Sequence, residues 1–146
     1  MMKVEVKKLR DSASLPVYAT KGAAAADLRA DLSEAVTLQP GERRVIPTGL
    51  AMAVPEGMAA ILCARSGLAS KHGIALANGI GVIDSDYRGE IGAALINLGK
   101  EPFRIEPGER ICQLMLLSVG QVEFLPVDSL SETERGEGGF GSTGTK

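Results

Sequence analysis

A chain of 146 residues with a net charge of −2 is one domain's worth of sequence, large enough to bury a sound core. That charge excludes a surface coated in basic residues for nucleic acid, and no apolar run approaches the roughly 20 residues that a membrane helix needs. Hydrophobic residues make up 45% but aromatics only 3%, with Trp absent, so the core must be built from Val, Ile, Leu and Ala.

Eighteen glycines and seven prolines cut the chain into short pieces, few of which have helical period. In chain order the expected strands are Val4–Leu9, Ala24–Arg29, Ala35–Leu38, Arg43–Val54, Met58–Ala64, Ile74–Ala77, Gly81–Asp84, Glu90–Leu98, Phe103–Ile105, Arg110–Ser118 and Val122–Val127. Ser66–Lys71 is the one helical turn expected. Many short strands at even spacing read as an all-β antiparallel sandwich or barrel of jelly-roll type. Pro40-Gly41-Glu42-Arg43 recurs as Pro107-Gly108-Glu109-Arg110, each a type II corner with Pro at the second position and Gly at the third. Met1-Met2-Lys3-Val4-Glu5 lacks the apolar stretch of a signal peptide. Cys63 and Cys112 lie within apolar runs and read as reduced core thiols, so a cytoplasmic location is expected. From Ser131 the chain turns polar and glycine-rich, which divides it into a folded domain over 1–130 and a flexible C-terminal lid over 131–146.

Five segments carry chemistry. Gly81-Val82-Ile83-Asp84-Ser85-Asp86-Tyr87-Arg88-Gly89-Glu90 runs an apolar strand into a carboxylate and a polar turn bearing a tyrosine. That arrangement suits a base which strips a proton from water beside a stacked ligand. Arg65-Ser66-Gly67 joins a charge, a hydroxyl and free backbone N–H groups at the start of a helical turn, a compact anion site; a capping serine beside a solvated arginine is the plainer alternative. Asp27 is an acid among small residues, as an edge or turn acid would be. Gln113 is an amide inside an apolar strand, which either bonds structurally or holds a water or phosphate oxygen. In the tail, Arg135 and the glycine run could clasp phosphates while Phe140 stacks on a base; a solvated tail is the competing reading. Gly136–Gly141 spells G-x-G-x-x-G, but no strand and helix flank it, so it is not a dinucleotide fingerprint. His72 is the only histidine, which excludes histidine-based metal sites and a Ser-His dyad.

In this order, Ala25-Ala26-Asp27-Leu28, Arg65-Ser66-Gly67, Gly81–Glu90, Pro107–Leu114 and Arg135–Gly144 closely resemble the five motifs of the trimeric dUTPases. The resemblance implies a distorted jelly-roll or β-barrel-like sandwich with one short helix, assembled as a homotrimer with shared active sites. It implies hydrolysis of dUTP to dUMP and diphosphate by attack of water on the α-phosphorus with Mg²⁺ present, which keeps uracil out of DNA and supplies dUMP for thymidylate synthesis. No nucleic acid or membrane partner is implied.

By the same resemblance Asp84 would be the general base, and Gln113 would serve the α-phosphate and the attacking water. Asn78 through Val82 and Ile83 would read the uracil edge, Tyr87 would pack beneath the sugar, and Gly92 would approach the same ligand. Arg65, Ser66 and Gly67 would hold phosphates, and Asp27 would steady the metal indirectly, through water. Arg135, Gly141, Ser142 and Thr143 would clasp the outer phosphates while Phe140 caps the base. The motifs depart from the common pattern at Ala25, Ala26 and Ala64, all backbone-tuning positions. The competing readings are a dCTP deaminase of related fold, a nucleotide-binding module without catalysis, and a purely structural jelly roll.

Overall fold

The computed structural model describes residues 2–140. The elements in chain order are β1 (Glu5–Lys8), β2 (Ala26–Arg29), β3 (Val36–Leu38), β4 (Arg43–Pro47), β5 (Leu50–Ala53), β6 (Met58–Ala64), α1 (Ser66–His72), β7 (Ile74–Leu76), β8 (Gly81–Ile83), β9 (Gly92–Asn97), β10 (Phe103–Ile105) and β11 (Arg110–Ser118). The strands form a four-stranded sheet in the order β2-β11-β6-β8, a three-stranded sheet β4-β9-β7, and two ribbons, β1-β5 and β10-β3. Every pairing between these strands is antiparallel. The all-β expectation with one short helix therefore holds. The barrel-like part does not: among the described residues the hydrogen-bonded ladders break into four sheets and do not close.

Two expected strands come out differently. Arg43–Val54 is split into β4 and β5 at Thr48-Gly49. Gly49 has φ +69°, and a β-carbon there would overlap the carboxylate of Asp31, so the chain bends tightly over that side chain. The strand expected over Val122–Val127 is not formed. Val122, Phe124, Leu125 and Val127 are exposed, and among the described residues no strand edge runs beside them to take their backbone bonds. The two Pro-Gly corners form as expected. Gly41 and Gly108 sit at φ +80° and +77°, and Glu42 and Glu109 each reach back to accept the main-chain N–H three residues earlier, at 2.9 and 3.0 Å.

The core is aliphatic, as composition requires. Leu28, Leu62, Ile83, Cys112 and Leu114 from the four-stranded sheet meet Ile46, Ile74, Leu76, Ala93 and Leu95 from the three-stranded one. Cys63 and Cys112 are free thiols. Gln113 faces Cys63 while Cys112 faces Ala64, so the two sulfurs point to opposite sides of the sheet and cannot be bridged. Burial pushes the Cys112 thiol up to about 12, with Cys63 and Asp27 adding to the effect, which leaves it inert.

Two details lock the end of the helix. Gly73 caps α1 in the left-handed region, and a β-carbon there would overlap the backbone of Gly99; one on Gly99 would overlap the carbonyl of His72. Beside them Asn97 is fully buried. Its amide donates to Leu38 O (2.9 Å) and Glu101 O (2.8 Å) and accepts from Gly99 N (2.8 Å). Asn97→Ala strands those carbonyls and is expected to cost about 2–4 kcal/mol of unfolding free energy in urea denaturation. A loss under about 1 kcal/mol would show that water replaces the amide.

Candidate active site

A cleft of about 220 Å³ opens along β8 and is lined by Leu62, Asn78, Gly81, Val82, Ile83, Asp84, Tyr87, Glu90, Ile91 and Gly92. The cause is topological. β8 is the outer strand of its sheet, bonded to β6 on one side only, so its other edge offers main-chain donors and acceptors to whatever enters. Burial alternates along it: Gly81 and Ile83 face inward, Val82 and Asp84 outward. The turn that follows closes through the Asp84 main-chain carbonyl, which accepts from Tyr87 N at 3.2 Å, so the carboxylate is not consumed by the turn. Asn78, Val82, Ile83, Asp84, Tyr87 and Gly92 thus come together as anticipated. Gly92 has a structural reason as well, because a β-carbon there would stand 2.6 Å from Val45 Cγ1.

A second cluster forms at the far end of the same sheet. Asp27 is 6% exposed rather than the edge or turn acid of the plainer expectation. Its main chain is held by β11 on one side and by Val17 on the other. Its carboxylate accepts from Arg110 Nη1 at 3.0 Å and Gln113 Nε2 at 3.2 Å and pairs with Arg65 Nε at 3.5 Å. Arg65 Nη1 also donates to Arg110 O at 2.9 Å. Two guanidiniums on one carboxylate leave a net positive charge beside the first turn of α1, where Ser66 and Gly67 are exposed with helix-start N–H groups unused. A carboxylate can only accept, so Asp27 fixes the Gln113 amide with its nitrogen inward and its oxygen free.

Arg110 escaped the sequence reading. Strict alternation along β11 would put Arg110 on the side of Cys112 and Leu114, toward the core. A register shift between Arg110 and Cys112 breaks that alternation, and both Ile111 and Cys112 are buried. Glu90 also lacked a role, although it closes the Gly81–Glu90 segment.

The two clusters do not meet within one chain. Ile83 faces Ala60 across β6, and Gln113 faces Cys63 across the same strand from the other side. Two strand spacings of about 4.8 Å and an offset of three residues at about 3.3 Å put the Cα atoms of Ile83 and Gln113 about 14 Å apart. In the tail, Arg135 folds onto its own segment through Nε to Gly138 O at 2.8 Å, and Phe140 is fully exposed with φ +48°. Neither reaches the clusters. Gly141, Ser142 and Thr143 lie outside the described residues.

Within one chain, the described donor set fits magnesium held through water. Among the described residues no three Asp, Glu, His or Cys side chains converge. Asp27 spends most of its acceptor sites on Arg110, Arg65 and Gln113. A hydrated ion carried on substrate phosphates, touching Asp27 through water, fits these residues; a direct protein cage does not.

The chain is similar to known proteins of one family. The dUTPase family model matches residues 11–144. Deoxyuridine 5'-triphosphate nucleotidohydrolase of Desulfitobacterium hafniense is 55% identical over 146 residues, 98% of this chain and 97% of that protein. Among solved structures, Staphylococcus bacteriophage 80alpha dUTPase with dUPNHPP superposes with a TM-score of 0.91 at 31% identity, over 99% of this chain and 100% of that one. A point mutant of the dUTPase from phage phi11 of S. aureus, described with a structural Mg(II) ion, gives 0.81 at 25% identity over 90% and 100%. With a family match that spans both clusters and the tail, this chain belongs to the dUTPase family and is a dUTP-hydrolysing enzyme.

Proposed function

We propose that each active site joins the β8 cleft of one subunit to the Asp27–Arg65–Gln113 cluster of another within a homotrimer, and that water there attacks the α-phosphorus of dUTP. The separation of about 14 Å between the clusters carries this reading. No single water reaches both Asp84 and Gln113 of one chain, whereas a symmetric assembly supplies each site from two copies.

In this scheme the free edge of β8, with Asn78, Val82 and Ile83, bonds the uracil edge, and a cytosine leaves those groups unpaired. Tyr87 packs under the deoxyribose. Asp84 accepts a proton from water as the water oxygen bonds to the α-phosphorus. The bond from that phosphorus to the bridging oxygen breaks, and diphosphate leaves with the electron pair. Arg65 and the N–H groups of Ser66 and Gly67 stabilise charge on the phosphate oxygens, and the free oxygen of Gln113 orients the water. Asp27 would hold a magnesium ion on the triphosphate through bound water, and such an ion would neutralise charge on the phosphate oxygens.

Residues 1–130 form the hydrolase domain, and 131–146 act as a lid in which Arg135, Gly141, Ser142 and Thr143 hold the outer phosphates and Phe140 covers the base. Ordering about ten residues costs on the order of 10–20 kcal/mol, so a stacked ring alone does not close it and the phosphate contacts are required. The physiological outcome is a low dUTP level in the cytoplasm, with dUMP passed to thymidylate synthesis. No helix among the described residues is long and apolar enough to cross a membrane.

Product analysis tests the scheme. With Mg²⁺ and a panel of nucleoside triphosphates, the full chain is expected to release dUMP and diphosphate from dUTP, and a chain ending at Leu130 to lose most of that turnover. Ammonia release from dCTP, or full activity without the tail, would overturn the assignment.

A further inference from the structure

Glu90 lines the cleft but touches no reacting group in the scheme above. Its main-chain oxygen accepts the Tyr87 hydroxyl at 2.9 Å. The ring lies over Gly89, where a β-carbon would overlap it, and it remains 45% exposed, so little packing holds it. Whatever fixes Glu90 therefore fixes the ring.

The Glu90 carboxylate is held from two sides. Its carboxylate accepts from Gly49 N at 2.8 Å and is bridged by Arg10. Arg10 Nε in turn donates to Asp31 Oδ2 at 2.5 Å. Asp31 is buried beneath Gly49, and its N–H donates to Pro47 O at 2.8 Å. The Arg10 guanidinium, opposed by partial burial and aided by Gly49 N–H, holds the Glu90 carboxyl below the ordinary range. Burial works against ionisation of Asp31, but hydrogen bonds from Ser12 and Arg10 outweigh it and hold that carboxyl low as well. The corner is already closed by backbone bonds from Thr48 N to Ile91 O at 3.2 Å and Ile91 N to Leu50 O at 2.8 Å. The charged clamp adds to those backbone bonds, and it reaches the ring through the Glu90 main-chain oxygen.

We infer that Arg10 and Glu90 are positioning residues that hold Tyr87 at a fixed height in the cleft and so set how strictly the enzyme excludes a sugar with a 2′-hydroxyl. The inference rests on the proposed packing of Tyr87 beneath the sugar. Exclusion by crowding depends on placement: a ring that drops by a fraction of an ångström admits one oxygen atom, with little change for the smaller sugar.

The test compares kcat/KM for UTP and dUTP in Arg10→Ala, Glu90→Ala, the double variant and Tyr87→Ala. The two conservative changes, Arg10→Lys and Glu90→Gln, keep the inference testable if the alanine variants fold poorly. The UTP-to-dUTP ratio is expected to rise about tenfold in each alanine variant, with the double variant no worse than either single one, and about threefold in the conservative ones. The protein has two tyrosines and no tryptophan, so in a Tyr18→Phe background Tyr87 is the sole emitter. Its quenching by acrylamide should increase when the clamp is cut. An unchanged ratio in Tyr87→Ala would overturn the sugar-packing reading itself. A changed ratio there with none in the Arg10 and Glu90 variants, whatever their melting temperatures, would overturn this inference alone.

Discussion

Asp84→Asn is expected to bind a nonhydrolysable dUTP analogue with an affinity near that of the parent enzyme and to lose turnover by about 10²–10⁴-fold, the usual worth of a positioned base. The substitution is nearly isosteric, and the turn at this position is closed through the main-chain carbonyl, so folding should be spared. The loss should appear in kcat and kcat/KM together, because the carboxylate acts on the water and not on the bound base or phosphates. Calorimetric titration paired with steady-state kinetics gives both quantities. Parent-like turnover would remove Asp84 from the reaction. Loss of binding in proportion to turnover would recast it as a group that only holds the sugar.

A second result of similar size is expected from mixed assemblies. Asp84→Asn and Gln113→Ala chains, each nearly inactive alone, are denatured together in equal amounts and refolded. If every site takes Asp84 from one subunit and the Asp27–Arg65–Gln113 cluster from another, random reassembly gives about a quarter of the sites both intact halves. Activity should then return to about a quarter of the parent value, on the order of 100-fold above either variant. If one chain held a complete site, mixing would leave activity at the sum of the two crippled enzymes. The register of the four-stranded sheet motivates this expectation, since Ile83 and Gln113 flank β6 at offset positions.

Much of the fold was legible because its signals are local. The apolar run from Met58 to Ala64, the corners at Gly41 and Gly108, and the helix start after Arg65 are each decided within a few residues, and all stand where the sequence placed them. Val122–Val127 shows the limit of such signals. It is apolar enough for a strand, but Pro126 lacks an N–H to give and a strand also needs a neighbour, and pairing is not a local property. Site residues divided in the same way. Asn78, Val82, Asp84 and Tyr87 lie within one short stretch on and beside β8 and converge because that strand forms.

Arg110 and Asp27 are far apart in sequence and meet only because β2 and β11 pair, and only after a bulge turns Arg110 around. Glu90 was hidden for a related reason: its partners sit at positions 10 and 49, and nothing at position 90 itself announces them.

The tight contact between Gly73 and Gly99 bears on the proposed phosphate end of the site. A helix of seven residues is about 10 Å long and too short to bend appreciably, so it moves as a single rod. Its far tip is wedged against the β9–β10 corner with no space for even a methyl group at either glycine. Swelling that joint by one carbon would tilt the rod and swing Ser66 and Gly67 the opposite way. The alignment of the N–H groups proposed to face the phosphates is thus set remotely, from the other end of the helix.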